Sequence, residues 1–105
     1  TKGGKTAIVF ATNQGWEKIV ELLIQKHANV LYKTRSNSTL IMTAAYRGHL
    51  DVLKVLLKSN AKTLINERLK GEEGYWYQGK TALGLAKIKK HKSIVELLIQ
   101  NGAIE

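Results

Sequence analysis

The chain repeats itself, and nothing else in it constrains the fold as strongly. Gly4-Lys5-Thr6-Ala7 recurs as Gly79-Lys80-Thr81-Ala82, and the seven residues Ile19 to Gln25 recur unchanged as Ile94 to Gln100. A middle copy lies between them: Thr39, Ile41, Ala44, Gly48, Val52, Leu56, Leu57 and Ala61 match Thr6, Ile8, Ala11, Gly15, Ile19, Leu23, Ile24 and Ala28. The first offset is 33 residues and the second 42, so nine residues are inserted between the second and third copies. A period of this size marks stacked units, each too small to bury its own apolar face, that form one continuous core together.

Each unit has the same helical grammar. A short helix of about two turns is predicted from Thr6, Thr39 or Thr81, each supplying a hydroxyl for the N-terminus. Small residues follow on its packing face, Ala11, then Ala44 and Ala45, then Ala86. Gly15 and Gly48 end it, because glycine enters left-handed backbone space without steric cost. A longer helix follows over Trp16 to Lys26, Leu50 to Lys58 and Lys92 to Gln100. Its apolar arc, Ile19, Val20, Leu22, Leu23 and Ile24 in the first copy, is wider than one amphipathic stripe and suits burial on two sides. His27, Asn60 and Gly102 share the position after it, where Asn and Gly suit a left-handed cap and His is the poorest of the three. Acids early in these helices (Glu17, Glu21, Asp51, Glu96) and lysines late (Lys26, Lys58) favour the helix dipole.

A 33-residue helix–turn–helix unit of this kind resembles the ankyrin repeat, over essentially the whole chain and in three units. The resemblance is carried by Gly4-x-Thr6, Ala11, Gly15, Ile19-Val20-x-Leu22-Leu23 and Ala28-Asn29-Val30, with Gly48-His49 in the second unit. The family's Thr-Pro-Leu-His stretch stands here as Thr6-Ala7-Ile8-Val9, Thr39-Leu40-Ile41-Met42 and Thr81-Ala82-Leu83-Gly84, without Pro or His, and Lys90 replaces the glycine of the third unit. These losses predict a less regular and less stable array. The resemblance implies a single all-α domain over 1–105, a solenoid with short helices on a concave face, long helices on a convex face and β-hairpin-like fingers between units. The units are expected at 1–34, 35–67 and 76–105, with an extended finger over 62–79. Neither end reads as a specialised cap, so further repeats or a flanking segment are expected to cover at least one of them. Without a starting Met, the chain reads as part of a longer protein.

Composition bears on function chiefly through charge. The net charge is +9, from 17 basic and 8 acidic residues. Residues 1–15, 33–48 and 76–92, which the resemblance would place on fingers and concave helices, hold ten basic residues and no acid: Lys2, Lys5, Lys33, Arg35, Arg47, Lys80, Lys87, Lys89, Lys90 and Lys92. The excess charge therefore falls on one expected face and would steer acidic partners toward it; the competing reading is a set of solvated, solubilising lysines. There is no cysteine, so disulfides, thiol nucleophiles and cysteine metal sites are excluded. No apolar run approaches the ~18 residues of a membrane span, and Thr1-Lys2-Gly3-Gly4 is not expected to be a signal peptide. The expected location is the cytoplasm, with the periplasm or export into a host cell left open, and the expected state is a monomer.

The insertion is the second distinctive feature. Leu64 to Leu69 and Tyr75-Trp76-Tyr77 suggest two short strands around a glycine-flanked turn. Side chains alternate along a strand, so either Trp76 or the Tyr75/Tyr77 pair should face outward. Exposed Trp and Tyr are favoured interface anchors; the alternative is that they shield the third unit and the base of the loop. The candidate partner-binding residues are Arg35, Tyr46, Arg47, Trp76, Tyr77, Lys80, Lys87 and Lys89.

Other motifs carry less. Gly74 to Thr81 fits the phosphate-loop pattern residue for residue, but it follows Lys70-Gly71-Glu72-Glu73 and not a hydrophobic strand, and Gly79-Lys80-Thr81 is explained by its copy Gly4-Lys5-Thr6. His49 and His91 are repeat-equivalent and should recur one unit apart, not converge on a metal. Trp16 shares their slot and reads as packing at a helix start. No catalytic, cofactor or metal site is expected. The expected function is a protein-interaction module that grips an acidic or mixed protein surface, with nucleic-acid or anionic-lipid binding by the same basic face as the alternative and nucleotide binding at 74–81 a remote one.

Overall fold

A computed structural model describes residues 2–71 and 74–105, with the backbone alone for residues 2–6. The side chains of Lys2, Lys5 and Thr6, and Glu72 and Glu73 with the turn expected there, lie outside the described residues. The described chain is all-α. Its helices are α1 (Lys2–Gln14), α2 (Glu17–Gln25), α3 (Leu40–Arg47), α4 (Leu50–Leu57), α5 (Ala82–Ile88) and α6 (Lys92–Gln100), with a 3₁₀ turn over Asn60–Leu64. They form three antiparallel pairs; α1, α3 and α5 pack side by side in one layer, and α2, α4 and α6 in the other. None is long and apolar enough to cross a membrane.

The expected N-terminal hydroxyls hold in two units. Thr39 accepts from the Met42 amide and Thr81 from the Gly84 amide, both at 3.2 Å, each satisfying one of the donors a helix start leaves without a partner. The first unit differs: α1 runs from Lys2 through Thr6, so Thr6 lies within the helix and does not start it. In the later units the equivalent residues, 35–38 and 77–80, lie in the turns of the fingers. Here the helix continues to Lys2, because propagation adds one hydrogen bond per residue fixed.

Gly15 and Gly48 adopt φ of 78° and 80°, the left-handed exit expected of them. Lys90 takes the same turn at 61° and His27 takes the cap position at 67°, both without glycine's freedom. Asn60 departs from expectation: it opens the 3₁₀ turn, whose first free amide, that of Ala61, is capped by the Ser59 hydroxyl at 3.1 Å. That turn also takes residues 62–64 away from the expected finger.

The core runs through the stack. Ile8, Ile41, Met42, Leu53, Leu56 and Leu98 are fully buried, and burying each such side chain contributes roughly 1.5–3 kcal/mol. The equivalent residues Ile19, Val52 and Ile94 show how the stack depends on a preceding unit. Val52 and Ile94 are 1% and 2% exposed, each with a helix pair ahead of it, whereas Ile19 is 45% exposed. Phe10 and Trp16, in edge-to-face contact at 5.4 Å, and Leu22 are also exposed in this first unit.

Candidate interaction surface

Adjacent units are locked by a recurring contact. The His49 ring sits against Gly15, and its Nε2 donates to the Asn13 carbonyl at 2.9 Å. One unit later His91 sits against Gly48, and its Nε2 donates to the Tyr46 carbonyl at 3.1 Å. A carbonyl only accepts, so in both rings Nε2 carries the proton. Both imidazoles are thus spent on stacking. Trp16, in the same slot, packs edge-on against Phe10 and leaves about half of its surface exposed. Among the described residues no three His, Asp or Glu side chains converge as a metal site would require.

The two fingers are built differently. The first is a tight reversal closed by the Lys33–Thr39 bridge, with Asn37 at φ 64° in its turn. The second contains no strand among its described residues, contrary to expectation. One narrow pair closes it: the Leu69 amide donates to the Lys80 carbonyl at 2.9 Å and the Gly79 amide to the Leu69 carbonyl at 2.8 Å. Gly79 in that pair and Gly74 both take left-handed φ, 75° and 100°, which is not strand backbone. Strand alternation consequently does not govern the aromatics. Tyr75 and Trp76 are both exposed and Tyr77 is half-buried. In the stretch resembling a phosphate loop, the Thr81 hydroxyl caps α5 and donates to the Ile104 carbonyl at 2.8 Å.

The fingers also hold one another. Asn37 Nδ2 donates to Glu67 Oε1 at 3.0 Å and to the Arg68 carbonyl at 2.9 Å, and the Lys70 amide donates to the Ser36 carbonyl at 2.8 Å. Lys33 Nζ lies 3.4 Å from Glu67. The Asn37 hydrogen bond, with that of Lys33, holds the Glu67 carboxyl below its ordinary value. Nothing in the sequence reading singled out Asn37 or Glu67. The available signal was an Asn in a loop, where left-handed backbone is tolerated.

At the base of the long finger the structure brings together several of the candidate residues. The Trp76 ring stacks on Tyr46 with centroids 6.1 Å apart and meets Tyr77 edge-on at 5.8 Å. Lys89 places its ammonium 5.1 Å from the centroid of the Tyr46 ring, a cation–π geometry. Tyr75 stacks on Tyr77 at 5.5 Å. Beside these rings lies a groove of about 280 Å³ with Met42, Leu69 and Leu85 in its wall and Arg47 at its edge.

Not every candidate joins this cluster. Arg35 is exposed but is not among the residues lining the groove. Lys87 is engaged elsewhere: it forms a 2.7 Å ion pair with Glu105, whose carboxyl it holds below the ordinary value. Lys33 is likewise matched by Glu67. The basic regions are acid-free along the chain but not in space, because the ends of the second finger and of the chain fold back onto them. Among the described residues Arg35, Arg47, Lys80 and Lys89 have no carboxylate within ion-pair distance. Arg68, which the sequence reading passed over, ties the finger to the chain end by donating to the Gly79 and Glu105 carbonyls at 2.9 and 3.0 Å.

Residues 1–67 match the family model described as ankyrin repeats (3 copies), and residues 78–104 match the model described as ankyrin repeat. The chain is 33% identical over 98 residues to the ankyrin repeat and KH domain-containing protein mask of Drosophila melanogaster, covering 93% of this chain and 2% of that protein. It is 34% identical over 98 residues to the Homo sapiens ankyrin repeat and KH domain-containing protein 1, covering 93% and 4%. Against the Mus musculus protein fem-1 homolog A-like it is 32% identical over 97 residues, covering 92% and 13%. The chain thus spans a small fraction of the length of the curated relatives it matches.

Proposed function

This chain belongs to the ankyrin repeat family, and we propose that it grips an acidic or mixed protein surface with its basic concave face and the base of its long finger. Ankyrin repeats are in general protein–protein interaction modules, and theirs is a non-enzymatic family. The observation that carries the reading is the Tyr46–Trp76–Lys89 cluster with Arg47 beside it. It joins half-exposed aromatic surface to cations without a carboxylate partner. Aromatic and arginine side chains dominate the energetics of protein interfaces, and unpaired charge around them steers the partner's approach. Arg35 and Lys80 lie outside the groove lining and add positive charge to the same basic stretches of the chain. Lys87 contributes less, since Glu105 already satisfies it.

A pull-down from the native source with the wild-type chain and a Trp76→Ala, Arg47→Glu double variant tests the surface. The expected result is a protein retained by the wild type at moderate salt and lost from the variant. Equal retention by both overturns the surface. Retention of nucleic acid instead, falling steeply as salt rises, would favour nucleic-acid binding by the same basic face.

A further inference from the structure

We infer that the groove at the base of the long finger takes one apolar side chain of an extended partner segment whose adjacent residues carry carboxylates. This rests on the interaction reading above and narrows it to a class of segment. The groove's volume, about 280 Å³, suits a single large side chain and is too small for a folded element. Its wall is apolar. Met42 and Leu85 are core residues whose edges reach the groove, and Leu69 is anchored there by the two hydrogen bonds that close the finger. An apolar anchor that displaces water from Met42, Leu69 and Leu85 gains burial, and the Thr43 hydroxyl beside them is already paired with the Thr39 carbonyl.

The rim decides what flanks the anchor. Arg47 lines the groove and is exposed, and the Lys89 ammonium lies over Tyr46, whereas no carboxylate lines the groove. Aromatic rings attract cations, but a cationic guest here would meet the like charges of Arg47 and Lys89. A carboxylate next to the anchor meets complementary charge instead. Stacked nucleobases are disfavoured by prior occupation: Tyr46 already carries Trp76 and Lys89, and Tyr77 already carries Tyr75 and Trp76. Each of these rings already has one or more neighbours in the cluster, and the groove opens beside Tyr46, Trp76 and Tyr77.

Panning the 105-residue chain against a display library of random nine-residue peptides, followed by sequencing, tests this. The expected enrichment is a Leu, Met or Phe within two residues of Asp or Glu. Affinity of the enriched peptide should fall at least about tenfold with Trp76→Ala and with Arg47→Glu, the scale of an interface hot spot. Both variants alter exposed side chains, and circular dichroism with thermal melts verifies that they remain folded. Enrichment of acidic peptides without an apolar residue overturns the anchor and leaves the broader reading standing. Enrichment without acids, no enrichment, or displacement of the selected peptide by oligouridylate overturns both.

Discussion

The imidazole of His49 occupies the space that a β-carbon on Gly15 would need: such an atom would stand 2.7 Å from His49 Nδ1. Two requirements meet at this glycine, a left-handed φ of 78° and a surface flat enough for the next unit's ring. Gly15→Ala is therefore expected to cost about 2–4 kcal/mol, from backbone strain and overpacking together. Urea unfolding measures it. A loss within about 0.5 kcal/mol would show that the contact is not holding the units together.

Lys90 occupies the same turn at φ 61°, where an L side chain is strained. Lys90→Gly should stabilise the chain by about 1 kcal/mol, or raise Tm by about 4 °C or more, if relief of strain exceeds glycine's extra entropy in the unfolded chain. A calorimetric melt that moves downward would show the entropy to be the larger effect.

Thr12 is fully buried on α1 and its hydroxyl has no hydrogen-bond partner. Its repeat equivalent is Ala45, an apolar residue buried to the same degree. Valine keeps the shape of threonine and removes the orphaned hydroxyl, so Thr12→Val should raise stability by about 1–2 kcal/mol. Equilibrium denaturation decides, and a destabilised variant would mean that the hydroxyl is satisfied in solution.

The finger-to-finger link predicts an acid-sensitive contact. Asn37 and Lys33 hold the Glu67 carboxyl below its ordinary value of 4.5, so the folded chain favours the ionised form. A lowered carboxyl contributes stability that is fully present above 4.5 and is lost as pH falls through the lower folded value. The melting difference between wild type and Glu67→Gln should be present at pH 7 and disappear at the acid end. A difference that persists unchanged into strong acid would remove the ionised carboxylate from the account.

The residues that were legible in advance are those whose role is local or periodic. Thr39 and Thr81 cap helices through amides three residues away, and Gly48 leaves its helix in the only region that relieves the backbone there. Val52 and Ile94 are buried because the repeat places them against the preceding pair. Such features follow from spacing, and spacing is visible along a chain.

The pairing of charges and rings is of another kind. Lys87 meets Glu105, Asn37 meets Glu67, and Tyr46 gathers Trp76 and Lys89 from two later segments. Each contact joins residues 18 or more positions apart, and those of Glu67 and Trp76 depend on how the inserted finger folds. The nine inserted residues have no repeat partner from which their path could be copied, and Gly74 and Gly79 take left-handed backbone where the composition suggested strands. By itself the sequence determined the stacked helical pairs, because each short repeated unit can bury its apolar faces only against its neighbours. Only the tertiary structure decided which lysines stay without a carboxylate and which rings form the groove, because those outcomes depend on distances that close across the fold.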